Sequence, residues 1–192
     1  MIRTGIFGGS FNPIHNGHIL LARQLREAAA LDEVWLMVSP QNPLKVQSGL
    51  LDDLQRLKLA QRAVADEPSI TVSDYEFHLP RPSYTWNTLQ ALERDFPDRQ
   101  FVLMIGGDNL QHFARWYRAD DILARYQLVV YPRRDSDIGT IPENVQVVEA
   151  ALLDISSTDI RRRVRQGLPI TNLVPPCIED EVIMSYQKEI CQ

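Results

Sequence analysis

GGSFNPIHNGH, running from Gly8 to His18, follows a short apolar run, Thr4 to Phe7, and precedes a stretch with helical periodicity. It is the turn from a first strand into a first helix. In an α/β sheet that turn is where anions bind, because the unpaired N–H groups and the dipole of the helix N-terminus favour phosphate. Gly8 and Gly9 let backbone approach a ligand closely. Pro13 fixes φ and Gly17 admits the chain into the helix, leaving His15 and His18 three residues apart at the exit of the loop. At that spacing both imidazoles can point the same way, offering two N–H donors beside open backbone amides. Zinc is the competing reading of a histidine pair, yet a structural site wants four ligands and a catalytic one three. His78 and His112 lie in unrelated segments, and Cys177 and Cys191 form no C-x-x-C. A polyphosphate is the expected ligand, and no metal site is expected.

Outward from this loop the chain alternates strand and helix patterns. Ile19 to Ala30 reads as a helix, and Glu33 to Val38, EVWLMV, is a near-continuous apolar run of the kind found in a parallel strand covered on both faces. The following SPQNPLKVQSG reads as a surface loop at the sheet edge, where Lys45 is either solvated or a ligand contact. Asp52 or Asp53 can cap a helix running to Ala65, with Leu54, Leu57, Leu59 and Val64 as its apolar face. Ile70 to Ser73 is a short strand. A helix from Thr85 to Phe96 follows, with Ser83 or Thr85 as N-cap and with Tyr84 and Trp86 explicable as core. Gln100 to Ile105 is a buried strand that delivers Gly106 to Asn109 to the same edge as the first loop. There Asp108 can serve a ligand, cap the next helix, or do both. Trp116 and Tyr117 stand in a connection before a helix ending near Arg125. Tyr126 to Tyr131 and Val145 to Val148 read as the last strands, and Ile178 to Ile190 as a closing helix. In ISSTDIR, Ile155 to Arg161, Ser156 as N-cap puts Ile155 and Ile160 at hydrophobic-staple positions and leaves the amides of Ser157 and Thr158 facing the ligand edge beside Arg161. The rest of RRRVR reads as a solvated face.

The pattern implies a Rossmann-like α/β three-layer sandwich with a mostly parallel, doubly wound sheet, formed by residues 1–192 as one domain. A net charge of −5 and a pI of about 5.4 argue against general nucleic-acid binding. No run is long enough for a membrane helix and the N-terminus lacks a signal pattern, so a cytoplasmic location is expected. Two cysteines make no disulfide framework.

His15-Asn16-Gly17-His18 together with Ile155 to Arg161 resembles the two signatures of the HxGH nucleotidyltransferase superfamily, in the order that superfamily carries them. Within it, the likeness over nearly the whole chain is to bacterial nicotinate mononucleotide adenylyltransferases. The resemblance implies adenylyl transfer from ATP to nicotinate mononucleotide, giving deamido-NAD and pyrophosphate, with Mg²⁺ entering on ATP. It implies His15, His18 and Arg161 as catalytic residues. ATP would lie against Gly8, Gly9, Ser10, Phe11, His15, Gly17 and His18, against Gly106, Asp108 and Arg133, and against Ile155, Ser156, Ser157 and Arg161. At Arg133 the V-Y-P-R context favours that residue over Arg134. Lys45, Tyr84, Thr85, Asp108, Trp116 and Tyr117 would hold the mononucleotide, with Trp116 stacked on the pyridine ring. Phosphopantetheine adenylyltransferases share both end motifs but not the aromatic segments. A silent nucleotide-binding domain would not need both histidines, Ser157 and Arg161. A homo-oligomer is compatible with the chain, and the segment after Tyr131 is shorter than in many relatives.

Overall fold

The computed structural model describes residues 1–40, 50–132, 141–151 and 153–187. Lys45, Arg133 and Arg134 lie outside the described residues. Six strands form one sheet, β1 (Ile2–Gly9), β2 (Glu33–Val38), β3 (Ile70–Ser73), β4 (Arg99–Gly106), β5 (Gln127–Tyr131) and β6 (Val145–Val147), in the order β3-β2-β1-β4-β5-β6. Every pairing is parallel, so the sheet is more uniform than the mostly parallel one expected. The apolar runs explain this. In β2 five consecutive residues are buried, and in β4 six are, which only a strand covered on both faces can use.

Helices cover the two faces. α1 (Asn16–Ala28), α2 (Asp53–Ala63), α6 (Ser157–Arg165) and α7 (Glu179–Gln187) bury Leu25, Leu59, Ile160 and Tyr186 against Phe7, Leu36 and Met104. α3 (Thr85–Asp95) and α5 (Ala119–Arg125) bury Leu89, Leu92 and Ile122 against Ile6, Leu103 and Val130. A short helix α4 (Gly107–Gln111) follows β4. The chain order reverses between β1 and β4, and there the loops after both strands splay apart, leaving a crevice at the carboxyl ends of the strands.

Three local expectations change. Leu54 does not belong to the buried face of α2 and is 57% exposed, while Arg56 is fully buried in its place. Asp52 caps α2 by accepting from the N–H of Leu54 and Gln55. The N-cap of α3 is Tyr84, with no side-chain cap bond, because the Ser83 hydroxyl is used elsewhere and Thr85 is already helical. Gly106, and not Asp108, is the N-cap of α4. Among the described residues no helix is long and apolar enough to cross a membrane.

Candidate active site

The loop from β1 to α1 turns on Phe11, whose φ of 44° is in the left-handed region, and on a cis Asn12–Pro13 bond. A bulky residue there costs roughly 1–2 kcal/mol. Burial offsets the cost: the Phe11 ring is 2% exposed and lies edge-on to Phe7 and His18, with centroids 6.1 and 5.0 Å away. Phe11 can therefore offer a ligand backbone but not its ring. The two neighbouring glycines have different uses. A Cβ on Gly9 would stand 3.0–3.2 Å from the Phe11 ring, so Gly9 makes room for the core. A Cβ on Gly8 would meet nothing within 4 Å, so the protein itself gives no reason for glycine at that position.

His15 is the N-cap of α1, and His18 lies one turn in. Their rings stack at 3.6 Å with planes 25° apart, as the i, i+3 spacing allows. The backbone N–H of His15 donates to Nδ1 of His18 at 3.3 Å. A backbone N–H can only donate, so the neutral His18 ring carries its proton on Nε2 and can donate from there. Gly17 is steric: a Cβ would lie 3.0 Å from the His15 ring.

The second motif closes on the first. Ser156 caps α6 by accepting from the Asp159 N–H at 3.1 Å, and Ile155 and Ile160 pack into one core cluster as a staple would. Ser157 donates its hydroxyl to the Pro13 carbonyl at 2.8 Å. Arg161 donates to the Asn12 carbonyl at 2.6 Å and to the Thr158 hydroxyl at 3.3 Å. The start of α6 thus lies against the histidine loop, adding its first-turn amides and one half-buried guanidinium to the same crevice. Asp159 lies on the far side of this turn. It is paired with Arg162 and Arg163, which hold its carboxyl below the usual range.

Gly106 and Asp108 stand across the crevice, at the end of β4. A Cβ on Gly106 would collide with the Asp108 carboxylate and lie 3.3 Å from the Tyr131 ring. Farther along, Tyr84 and the exposed Tyr117 face each other with centroids 5.0 Å apart, which brings together two segments far apart in sequence. Thr85, first in α3, has an N–H with no intrahelical acceptor. Trp116 is half-buried against Phe113 at 5.0 Å, and its Nε1 has no partner among the described residues. Arg118 is turned away, over Trp86 at 5.3 Å and paired with Asp121.

Two residues of the site were not anticipated. Arg56 donates to the carbonyls of Ser10 at 2.5 Å, Ser39 at 3.1 Å and Leu51 at 3.0 Å, and pairs with Asp53. It is a buried cation clamping the β1–α1 loop to the end of β2. Glu76, in a 3-10 turn at Tyr75–His78, is 7% exposed and accepts from hydroxyls. Among the described residues no group of three His, Cys, Asp or Glu is placed to hold a metal.

A cytidylyltransferase-like family model matches residues 6–163, the span that holds both motifs. The chain belongs to that family. Its relatives include a protein from Bacteroides fragilis strain YCH46, carried as "Probable nicotinate-nucleotide adenylyltransferase", 46% identical over 94% of this chain and 91% of that protein. One of the same description from Bacteroides thetaiotaomicron is 44% identical over 98% and 94%. Among solved structures, a Plasmodium falciparum nicotinic acid mononucleotide adenylyltransferase complexed with NaAD superposes with a TM-score of 0.77 over 97% of each chain. At 17% identity that likeness speaks for the cytidylyltransferase-like fold alone.

Proposed function

We infer that this chain is a nicotinate-nucleotide adenylyltransferase, acting as one domain over residues 1–192. The observation that carries this reading is the meeting of the His15–His18 loop with Ser157 and Arg161 at the switch point of the sheet, in a chain whose relatives bear that name. The phosphate of nicotinate mononucleotide attacks the α-phosphorus of ATP. A P–O bond forms there as the bond to the β-phosphate breaks, and pyrophosphate leaves with the bonding electrons. A phosphate monoester has its second pKa near 6, so the nucleophile is largely ionised at neutral pH and no general base is needed. Catalysis then consists of aligning two anions and neutralising charge as it moves toward the leaving group.

His18 donates from Nε2 toward the α-phosphoryl group, beside His15. Arg161 and the first amides of α6 meet the outer phosphates, and Gly8 passes under the nucleotide without a side chain. Gly9, Ser10, Gly17, Gly106, Asp108, Ile155 and Ser156 complete the ATP side by backbone or position. Lys45 and Arg133 are assigned to the substrates by resemblance alone. Mg²⁺ is expected to travel on triphosphate oxygens and water, since the described side chains offer it no cage of their own.

Tyr84, Thr85, Trp116 and Tyr117 form the acceptor side. Backbone N–H groups near Thr85 and Tyr117 suit the two oxygens of a carboxylate, whereas a nicotinamide has one acceptor oxygen, would turn its own N–H₂ toward the second donor and leave it unpaired, which costs about 1–3 kcal/mol. That corresponds to a preference of roughly 5- to 150-fold for the acid. Pyrophosphate release from Mg-ATP, compared across nicotinate mononucleotide, nicotinamide mononucleotide and phosphopantetheine, tests the reading. Turnover confined to phosphopantetheine, or a higher kcat/KM for the amide, overturns it.

A further inference from the structure

Among the described residues Glu76 is a buried carboxyl group with no cation paired to it. Burial pushes its pKa up, and neighbouring hydroxyls pull it back. The Thr88 hydroxyl donates to Oε1 at 2.8 Å and the Ser83 hydroxyl to Oε2 at 3.3 Å, and the Ser39 hydroxyl stands near enough to favour the ionised form. Thr88 is 2% exposed and Ser83 7% exposed, so these bonds have little competition from solvent. A carboxylate has two acceptor oxygens with about four lone-pair sites, whereas an amide has one acceptor oxygen. Three converging hydroxyls therefore explain why an acid stands where an amide or an apolar residue would be easier to bury.

The three hydroxyls do not come from one place. Ser83 and Thr88 bracket Tyr84 and Thr85, at the start of α3. Ser39 follows β2, and its own N–H donates to the Gly9 carbonyl at 2.9 Å. The Ser39 carbonyl accepts from Nη1 of Arg56, the same nitrogen that donates to Ser10. Hydrogen bonds thus tie Gly9 and Ser10 to Ser39, whose hydroxyl neighbours Glu76, and tie Glu76 to both ends of the Ser83–Thr88 segment.

We propose that Glu76 is a positioning residue that fixes the acceptor-side segment 83–88 relative to the phosphate loop, holding the two reactants in register. This rests on the assignment of Tyr84 and Thr85 to the acceptor. Glu76 touches no substrate; it acts through Ser39, Ser83 and Thr88. Its loss acts on the acceptor and on alignment, and spares the ATP loop, which keeps Arg56, Arg161 and Ser157.

The test is Glu76→Gln, with Thr88→Val as a second variant that leaves the acid in place and removes one hydroxyl. For Glu76→Gln, KM for nicotinate mononucleotide is expected to rise roughly tenfold, while the Kd of ATP measured without acceptor stays within about twofold. Thr88→Val should show the same split at about threefold. A KM within twofold of wild type in both folded variants overturns the proposal, and so does an ATP Kd that rises in step with KM. Wild-type turnover of nicotinate mononucleotide checks the functional reading by itself. Hydrogen exchange on the free variants does not depend on any acceptor. Faster exchange confined to the amides of residues 84–89, with residues 15–19 unchanged, supports the proposal. No change at 84–89 overturns it.

Discussion

The proton on Nε2 of His18 is fixed by the bond that Nδ1 accepts from the His15 backbone, so the side chain arrives as a donor at no cost in reorganisation. His18→Ala should leave the fold intact, because the ring is only half-buried, and lower kcat by roughly 10²-fold or more, the scale for removing an electrostatic donor. Steady-state kinetics with a thermal unfolding control decides it. A folded variant with near-normal kcat removes His18 from the chemistry. Gly8 gives a sharper separation of stability from function. Its Cβ direction is open, so Gly8→Ala should stabilise the free protein by about 0.4–1 kcal/mol through the unfolded chain. The same methyl should weaken ATP, because it occupies the space of close approach. A destabilised variant, or one with unchanged ATP affinity, contradicts this account. The glycines, the histidines and their spacing were legible in the sequence as a strand-to-helix turn, although Gly9 and Gly17 serve to make room for the Phe11 and His15 rings. Arg56 and Glu76 were not. A charged residue between apolar ones reads as solvent-facing, and only the fold shows that carbonyls and hydroxyls from three segments converge on it.

At the scale of elements, α6 does two jobs, and both depend on its first turn. Ser156→Ala removes the cap and should cost about 1 kcal/mol of stability. ATP affinity should fall with it, because Ser157 and Arg161 are held by the same turn. Chemical denaturation and nucleotide titration of one preparation check both, and an unaltered midpoint would show that the cap is dispensable. On the same helix, Arg161→Ala should weaken ATP far more than the mononucleotide, whereas Arg163→Ala should change neither much, since Arg163 is occupied by Asp159 and the Pro169 carbonyl. Equal effects of the two substitutions on ATP would reduce the arginine run to a general basic face. The staple and cap of α6 could be read in advance because Ile155, Ser156 and Ile160 fall at fixed offsets from one another. The buried face of α2 and the cap of α3 could not. Leu54 lies on the solvent side because α2 turns Arg56 inward, and Ser83 leaves its cap to bond Glu76. In both cases a long-range polar partner outweighs local propensity.

Over the whole molecule the parallel, doubly wound architecture was legible from alternating strand and helix patterns, because continuous apolar strands need a cover on both faces, while the strand order comes from the fold itself. What the pattern does not carry is the pH response of global stability. The folded-state pKa of Glu76 is raised by burial above its ordinary value of 4.5, so the native state holds this proton more tightly than the unfolded chain. The corresponding stability is present below the ordinary value and is lost as pH rises through the raised one. Glu76→Gln cannot ionise, so its melting temperature should gain on wild type between pH 4 and neutral pH. Parallel melting curves for the two proteins across that range would show that the carboxyl is not strained by burial. A further consequence concerns the order in which the chain is made. The loop after β1 takes its partners from Ser157, Arg161 and Tyr186, residues 144, 149 and 174 positions downstream. At ribosomal speeds of about 5–20 residues per second, the loop waits roughly 7 to 35 seconds for the segments that complete it. A nascent chain can therefore expose both histidines well before the residues that fix their loop, the last of them in α7, have been made.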